Sequence, residues 1–310
     1  MPVKTVLITG VNGFIGSHMA RRLGRDYQVV GLGASSVDTR GLCQHYVQMM
    51  LPHPDFIQVL AQYQPECCLH FAGSASVGTS FAHPGVDFQS GPAAVFQILD
   101  ALRQNQGNGK PCLFLFPSSA AVYGNPTKLP VAESDPINPI SPYGYHKSMS
   151  EKLIEEFHTI YEVPYLVLRI FSCYGPGLRK QLLWDLCRKI DSGTVELYGT
   201  GEETRDYIHV KDLAELVAVI LRKDIRNTVL NVGNGREVST RTVADSMLRA
   251  MGREDLRPVF RGQGKTGDPL RWCCDCTKLH NLAHIKSEYA DIDTGIAQYA
   301  QWYKKESSRA

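Results

Sequence analysis

Thr5-Val6-Leu7-Ile8-Thr9 runs straight into Gly10-Val11-Asn12-Gly13-Phe14-Ile15-Gly16-Ser17-His18, and no other passage constrains the fold as strongly. A β-branched run that meets three glycines at this spacing, followed by apolar positions at helical intervals, predicts a strand, a tight turn and the start of a helix. Gly10 permits the turn, Gly13 lets backbone approach a pyrophosphate, and Gly16 allows close helix packing. The amides that open the helix then stabilise phosphate charge. A glycine triplet alone says little, but between a strand and a helix it predicts dinucleotide binding. Phe14 and Ile15, at the helix start, are counted among the cofactor-binding residues.

Strand and helix patterns alternate through the first half of the 310 residues. Strands are expected over Lys4–Thr9, Gln28–Leu32, Cys67–Phe71, Lys110–Phe116 and Tyr165–Phe171. Helices are expected over Phe14–Leu23, Phe56–Tyr63, Ala93–Arg103 and Tyr143–Tyr161, the last bounded by Pro142 and Pro164. That order predicts an α/β fold with a Rossmann-type, doubly wound parallel sheet and ligands at the strands' carboxyl ends. After about Ser172 the pattern becomes irregular. Strands are expected over Asp206–Val210 and Val229–Val232, and helices over Lys211–Leu221 and Thr240–Met251. The expected division is a dinucleotide-binding domain over 1–171, with 206–235 returning to it, and a smaller, mixed α/β substrate-binding region over 172–310. Lys304–Ala310 reads as a fraying tail.

Hydrophobic residues make up 43% of the chain and charged residues 21%, ordinary values for a globular protein. A net charge of +2 gives no ground for nucleic acid or an anionic membrane surface as partner. No apolar run approaches the ~18 residues that a membrane helix needs. Met1-Pro2-Val3-Lys4 passes directly into a strand, leaving no room for a signal or transit peptide, so a cytoplasmic location is expected. Nine cysteines, odd in number and irregularly placed, read as reduced thiols. Cys273, Cys274 and Cys276 with His280 and His284 invite a zinc reading. Adjacent Cys273 and Cys274 on a strand would face opposite ways, however, so no metal is expected.

Tyr143 and Lys147 stand at i and i+4 in Ser141-Pro142-Tyr143-Gly144-Tyr145-His146-Lys147. On a helix those positions share a face, so the ammonium reaches the surroundings of the phenol. A free tyrosine titrates near ~10 and is a poor base at neutral pH. A fixed positive charge nearby favours phenolate, as proton transfer at a hydroxyl requires. Tyr207 and Lys211 repeat the spacing in a β-branched run, where i and i+4 lie about 13 Å apart. Only the first copy begins a convincing helix. His146, inside that helix, and His209, on a strand, read as structural residues or as supports behind the residues that do chemistry.

The end of the second strand bears on which dinucleotide is bound. An acid there would hydrogen-bond the ribose 2′-hydroxyl of NAD. Val29-Val30-Gly31-Leu32-Gly33-Ala34-Ser35-Ser36-Val37-Asp38-Thr39-Arg40 puts Gly33 in its place. Ser35, Ser36 and Arg40, with no carboxylate to repel it, suit a 2′-phosphate, so NADP(H) is favoured. NAD stays open, with Asp38 serving from an unusual position.

With these features in place, the chain resembles the extended short-chain dehydrogenase/reductase family, in its nucleotide-sugar epimerase, reductase and dehydratase branch. The likeness runs nearly end to end. It includes His70-Phe71-Ala72-Gly73-Ser74-Ala75-Ser76-Val77, Ser118-Ser119-Ala120-Ala121-Val122-Tyr123-Gly124, the Tyr143–Lys147 segment and Arg169-Ile170-Phe171-Ser172-Cys173-Tyr174-Gly175-Pro176-Gly177. It continues through Gly199-Thr200-Gly201, Arg205-Asp206-Tyr207-Ile208-His209-Val210-Lys211-Asp212-Leu213 and Asn231-Val232-Gly233-Asn234-Gly235.

The resemblance implies that Tyr143 is the acid/base, and that Lys147 lowers its pKa and holds the nicotinamide ribose. Ser119, rather than Ser118, would orient the substrate oxygen. Ala72 and Gly73 would join the cofactor-binding residues. Ser76, Ser119, Ser172, Tyr198 and Arg205 would hold a nucleoside-diphosphate sugar, Arg205 through its planar fork on the diphosphate and Tyr198 near the base. Relatives of this type dimerise by pairing the helices that correspond to Ala93–Arg103 and Tyr143–Tyr161 into a four-helix bundle, so a homodimer is expected.

Departures from the family pattern also inform the reading. Dehydratases and decarboxylases of the family place acidic residues directly after the motif hydroxyl. Here Ala120 and Ala121 follow Ser119, so elimination chemistry lacks its acid and base. Ser172 stands where many members have Asn, Gly91 stands near another usual Asn, and Met50 near the usual adenine-side acid. The leading expectation is NADPH-dependent reduction of a 4-keto group on a nucleoside-diphosphate deoxyhexose, with Tyr143 as proton donor. The alternative is a nucleotide-sugar 4-epimerase with tightly held NAD, resembling UDP-glucose 4-epimerase. A cofactor-sensing protein without chemistry is a third reading, disfavoured by an intact Ser119, Tyr143 and Lys147.

Overall fold

The computed structural model describes residues 4–108, 111–262, 267–284 and 287–308. Six short apolar runs become strands: β1 (Thr5–Thr9), β2 (Gln28–Gly33), β3 (His45–Gln48), β4 (Cys67–His70), β5 (Leu113–Ser119) and β6 (Tyr165–Ile170). With the strand Thr228–Val232 they form one sheet, ordered Thr228–Val232, β6, β5, β4, β1, β2, β3. The pairings from β3 through to β6 are all parallel, with Leu7 opposite Val30 on one side and Cys68 on the other. This is the expected α/β, Rossmann-type sheet. Its strand order reverses between β1 and β4, the crevice where such sheets take ligands.

The crossovers are α1 (Phe14–Leu23), α2 (Phe56–Tyr63), α3 (Val77–Ala82), α4 (Pro84–Phe88), α5 (Ala94–Asn105) and α6 (Pro142–Tyr161). Their apolar stripes meet the strands: Met19 and Leu23 of α1, Val95, Ile98 and Leu99 of α5, and Val6, Leu7, Ile8, Phe114 and Leu115 of the sheet are all fully buried. Each such side chain contributes roughly 1.5–3 kcal/mol. Gly10 has a φ of +67°. A Cβ there would stand 2.6 Å from the Ala72 amide nitrogen, so only glycine lets the turn after β1 rest on the segment after β4.

The chain divides into two compact units. The first comprises Met1–Gly124, Pro136–Ile170 and Ala214–Leu230, the second Asn125–Asp135, Phe171–Leu213 and Asn231–Ala310. Of the stretch 206–235 expected to return to the dinucleotide-binding domain, 214–230 falls in the first unit and 206–213 and 231–235 in the second, although Asn231 and Val232 complete the strand Thr228–Val232 of the sheet. Asp206 fastens them there. Its buried carboxylate accepts from the backbone N–H of Asn234 (2.7 Å), Gly235 (2.9 Å), Arg236 (3.2 Å) and Cys274 (2.9 Å). Asn125–Asp135 joins the second unit as well, because Val131 exchanges backbone hydrogen bonds of 2.8 Å with Cys273 and Asp275.

Other expectations shift by a few residues. The strand placed over Lys110–Phe116 runs Leu113–Ser119, so Ser118 and Ser119 end the strand itself; Lys110 and Met1–Val3 lie outside the described residues. The π-helical stretch Gln89–Ala93 precedes α5. Lys304–Ser307 does not fray. It completes the helix Ile292–Ser307, whose Tyr299, Ala300 and Tyr303 are buried; residues 309 and 310 lie outside the description.

Candidate active site

β5 ends at Ser119, and the chain turns at once into a short 3-10 helix, Ala120–Tyr123. The Ser119 hydroxyl caps it, accepting from Ala121 N–H at 3.2 Å. α6 begins at Pro142 because the Ser141 hydroxyl accepts from Gly144 N–H at 3.2 Å and proline's fixed φ suits a first helical turn. Gly144 lets the two elements close up, since a Cβ there would stand 2.6 Å from the Ala121 carbonyl oxygen. Tyr143 N–H donates to the buried Ser80 hydroxyl of α3 at 3.1 Å. So positioned, the Tyr143 phenol comes close enough to the Ser119 hydroxyl for that group to favour its ionised form.

Lys147 crosses β5. Its Nζ donates to the Pro117 carbonyl at 2.7 Å, lies 4.5 Å from the Phe116 ring centroid and 5.7 Å from that of Tyr143. Tyr143, Lys147, His70, Ala72, Gly73 and Asp87 are among the residues lining a cavity of about 20 Å³, room for one water molecule. The spacing of Tyr143 and Lys147 led us to expect an acidified phenol, and the pocket does the opposite. Burial pushes Tyr143 up to about 12, opposed by the Ser119 hydroxyl and helped by Asp87. Burial pushes Lys147 down to about 8, opposed by Asp87 and Glu151. A low-dielectric site favours the neutral form of each group, and the lysine's proton is committed to a carbonyl rather than to the phenol.

Two buried clusters that sequence reading missed support these residues. Glu151, one helical turn beyond Lys147, accepts from Ser118 Oγ at 2.5 Å and from Arg169 Nη2 at 2.8 Å; Arg169 Nη1 donates to the Tyr123 hydroxyl at 2.8 Å. The i+4 spacing from Lys147 was the one available signal. Second, His146 Nδ1 lies 2.5 Å from Asp87 Oδ2. His70 shares a 2.8 Å hydrogen bond with Thr9 Oγ1, and burial followed by the Lys147 charge lowers its pKa to about 3, so it stays neutral.

At the end of β2, Gly33 lies against the Tyr46 side chain. A Cβ there would stand 2.8 Å from the Tyr46 hydroxyl, which donates to Ser35 O at 2.7 Å and accepts from Asn12 Nδ2 at 3.3 Å. Asp38 is likewise engaged locally, accepting from the N–H groups of Arg40 (3.0 Å), Leu42 (2.6 Å) and Cys43 (2.9 Å). Ser35, Ser36 and Arg40 are exposed. A side chain at position 33 would have to displace the Tyr46 hydroxyl.

The remaining expected site residues scatter. Ser76 caps α3, accepting from Thr79 N–H at 3.1 Å. Ser172, Tyr198 and Arg205 belong to the second unit. There Ser172 opens the short strand Ser172–Tyr174, Tyr198 is 54% exposed, and the half-buried Arg205 guanidinium lies 5.4 Å from the Trp272 ring. The Cys274 and Cys276 thiols touch at 3.4 Å. Among the described residues, no three His, Cys, Asp or Glu side chains converge as metal ligands would. No helix among them is long and apolar enough to cross a membrane.

The model of the NAD dependent epimerase/dehydratase family matches residues 6–233, and the chain belongs to that family. This agrees with the likeness read from the motifs. A putative UDP-glucose 4-epimerase of Methanocaldococcus jannaschii is 27% identical, over 96% of this chain and 98% of that protein. The UDP-N-acetylglucosamine 4-epimerase from Methanobrevibacter ruminantium M1, solved with UDP-N-acetylmuramic acid, superimposes with a TM-score of 0.88 at 26% identity, over 99% of this chain and 100% of the other. The UDP-glucose 4-epimerase of Thermus thermophilus, solved with NAD, gives 0.85 at 25% identity, over 97% and 99%.

Proposed function

We propose that the protein interconverts the C4 epimers of a UDP-hexose, with NAD as its resident dinucleotide. One observation carries the reading. Ser119, Tyr143 and Lys147 converge at the carboxyl end of β5, while the next residues, Ala120 and Ala121, are buried and apolar and give that turn no acid or base for elimination. The 4-epimerase relatives support the same choice, one of them holding NAD. Reduction of a 4-keto sugar by NADPH, the leading expectation from sequence, would use the same three residues, and the 4-epimerase relatives, one of them solved with NAD, favour the alternative.

The site fits a dinucleotide: Gly10 draws the turn after β1 against Ala72, and Gly13 gives α1 no side-chain cap, so no capping side chain competes with a pyrophosphate for its first amides. Bound NAD would supply the hydride acceptor and donor. Tyr143, as its phenolate, takes the C4 hydroxyl proton as the C4 hydride leaves, and returns it as hydride comes back to the other face of the rotated keto sugar. Ser119 holds the C4 oxygen, and the Lys147 cation offsets the burial that otherwise keeps the phenol neutral. Gly10, Gly13, Phe14, Ile15, Gly16, Ala72 and Gly73 hold the dinucleotide, with Ser35, Ser36 and Arg40 beside its ribose. Ser172, Tyr198 and Arg205 hold the UDP moiety, and Ser76 the sugar side. The reading includes a homodimer through α5 and α6, supported by Phe96 (49%), Tyr145 (52%), Met149 (47%) and Ile160 (62%), large apolar side chains left exposed on those helices. All nine cysteines are free, in keeping with a reducing cytoplasm.

The test is to denature the purified protein, identify any released nucleotide by mass spectrometry, and assay UDP-glucose to UDP-galactose conversion without added cofactor. Retained NAD with turnover supports the epimerase. An empty protein that oxidises NADPH only with a 4-keto sugar nucleotide would replace it with the reductase.

A further inference from the structure

We propose that Asp87 and His146 form a positioning pair that governs the charge state in which Tyr143 and Lys147 meet the substrate. This rests on Tyr143 being the acid/base proposed above. Asp87 lies on α4 and is 4% exposed; His146 lies on α6, immediately before Lys147. Their 2.5 Å contact is built in. The His146 ring packs edge-on against Phe88, with centroids 5.6 Å apart, and the π-helical stretch brings Gly91 against it, since a Cβ on Gly91 would stand 3.9 Å from that of His146. Both residues line the water-sized cavity that Tyr143 and Lys147 also line.

The other charged or titratable groups around that cavity are already balanced. From β4 comes His70, which is neutral. From α6 comes Glu151, paired with Arg169 of β6 and hydrogen-bonded to Ser118 of β5. Among the described residues, Asp87 is the carboxylate of the cavity lining, and its charge acts on both members of the catalytic pair, whereas that of Glu151 acts on Lys147 alone. That charge disfavours phenolate at Tyr143 and favours ammonium at Lys147. His146 Nδ1 faces that carboxylate at 2.5 Å, and a hydrogen bond between them draws the carboxylate's charge away from the phenol, so losing one member or the other should move Tyr143 in opposite directions.

His146→Leu leaves the Asp87 carboxylate uncompensated. The acid limb of kcat should move up by about one pH unit, with roughly tenfold lower turnover near pH 6.5 and parent-like NAD affinity. Asp87→Asn removes the carboxylate, and the same limb should move down by a similar amount. Displacements in one direction, or a rate loss equal at every pH, would overturn the proposal and leave the pair merely structural. Should His146→Leu fail to fold, His146→Ala carries the same expectation. If the parent protein turns over no UDP-hexose, the proposed function falls by itself. Ionisation of Tyr143, read as the difference in tyrosinate absorbance between each protein and its Tyr143→Phe derivative, then decides: opposite shifts support the pair, equal or absent shifts sink it.

Discussion

The Lys147 ammonium donates to the Pro117 carbonyl at 2.7 Å, two residues before Ser119, and so ties the helix that carries Tyr143 to the strand that carries Ser119. Burial lowers this lysine to about 8, so the folded protein holds the proton less tightly than an unfolded chain would. The unfolded state binds more protons between about pH 8 and the ordinary lysine value, so stability rises with pH across that window. Lys147→Met should cut kcat by about 10²–10⁴-fold. It should also equal or exceed the parent in denaturant midpoint at pH 7, and that advantage should vanish above the ordinary lysine value. A midpoint well below the parent's at pH 7 would show that the carbonyl contact outweighs desolvation.

The Glu151–Arg169 pair is buried on both sides and braces Ser118 and Tyr123. Removing one partner strands the other's charge, at a cost of about 3–5 kcal/mol. Glu151→Leu should lose that much in urea unfolding, while the double change with Arg169→Met should recover most of it. Equal losses in single and double variants would mean that the pair's worth lies in packing alone.

Neutral, buried His70 makes the fold acid-sensitive. Its folded pKa, about 3, lies below the ordinary histidine value, so the unfolded state alone takes up a proton as pH falls from about 6.5. Stability is full above that pH and declines below it, this residue contributing about 1.4 kcal/mol per pH unit. His70→Asn should flatten the stability profile between pH 6 and 4; an unchanged slope would assign the acid limb elsewhere.

Gly33→Asp restores the side chain that usually marks NAD sites, yet its Cβ would stand 2.8 Å from the Tyr46 hydroxyl. We expect weaker, not tighter, NAD binding, and recovery when Tyr46→Ala is added. Calorimetric titration of both variants decides, and tighter binding by the single variant would show that the loop yields at little cost.

Much of this was legible in order and spacing. Gly10, Gly13 and Gly16 announce the first turn, alternating strand and helix patterns announce the sheet, and Ser119, Tyr143 and Lys147 stand in recognisable segments. Those features depend on neighbours within one or two turns of chain. The allegiance of 206–213 was misread, because it depends on a carboxylate, Asp206, reaching amides 28 and 68 residues away. The acidified phenol was misread as well, because spacing reports a nearby charge and is silent about solvent.

By itself, then, the order of residues determined a parallel sheet with a glycine turn at its first strand, and a tyrosine and a lysine on one helical face. Tertiary structure decided that Tyr46 lies against Gly33, that Asp87 faces His146 across 59 residues, and that the Tyr143–Lys147 pair sits in a buried pocket favouring its neutral forms. The physical reason is that hydrogen-bond spacing along one helix or strand is set locally. Exclusion of water and the meeting of distant charges exist only once the strands have found their neighbours.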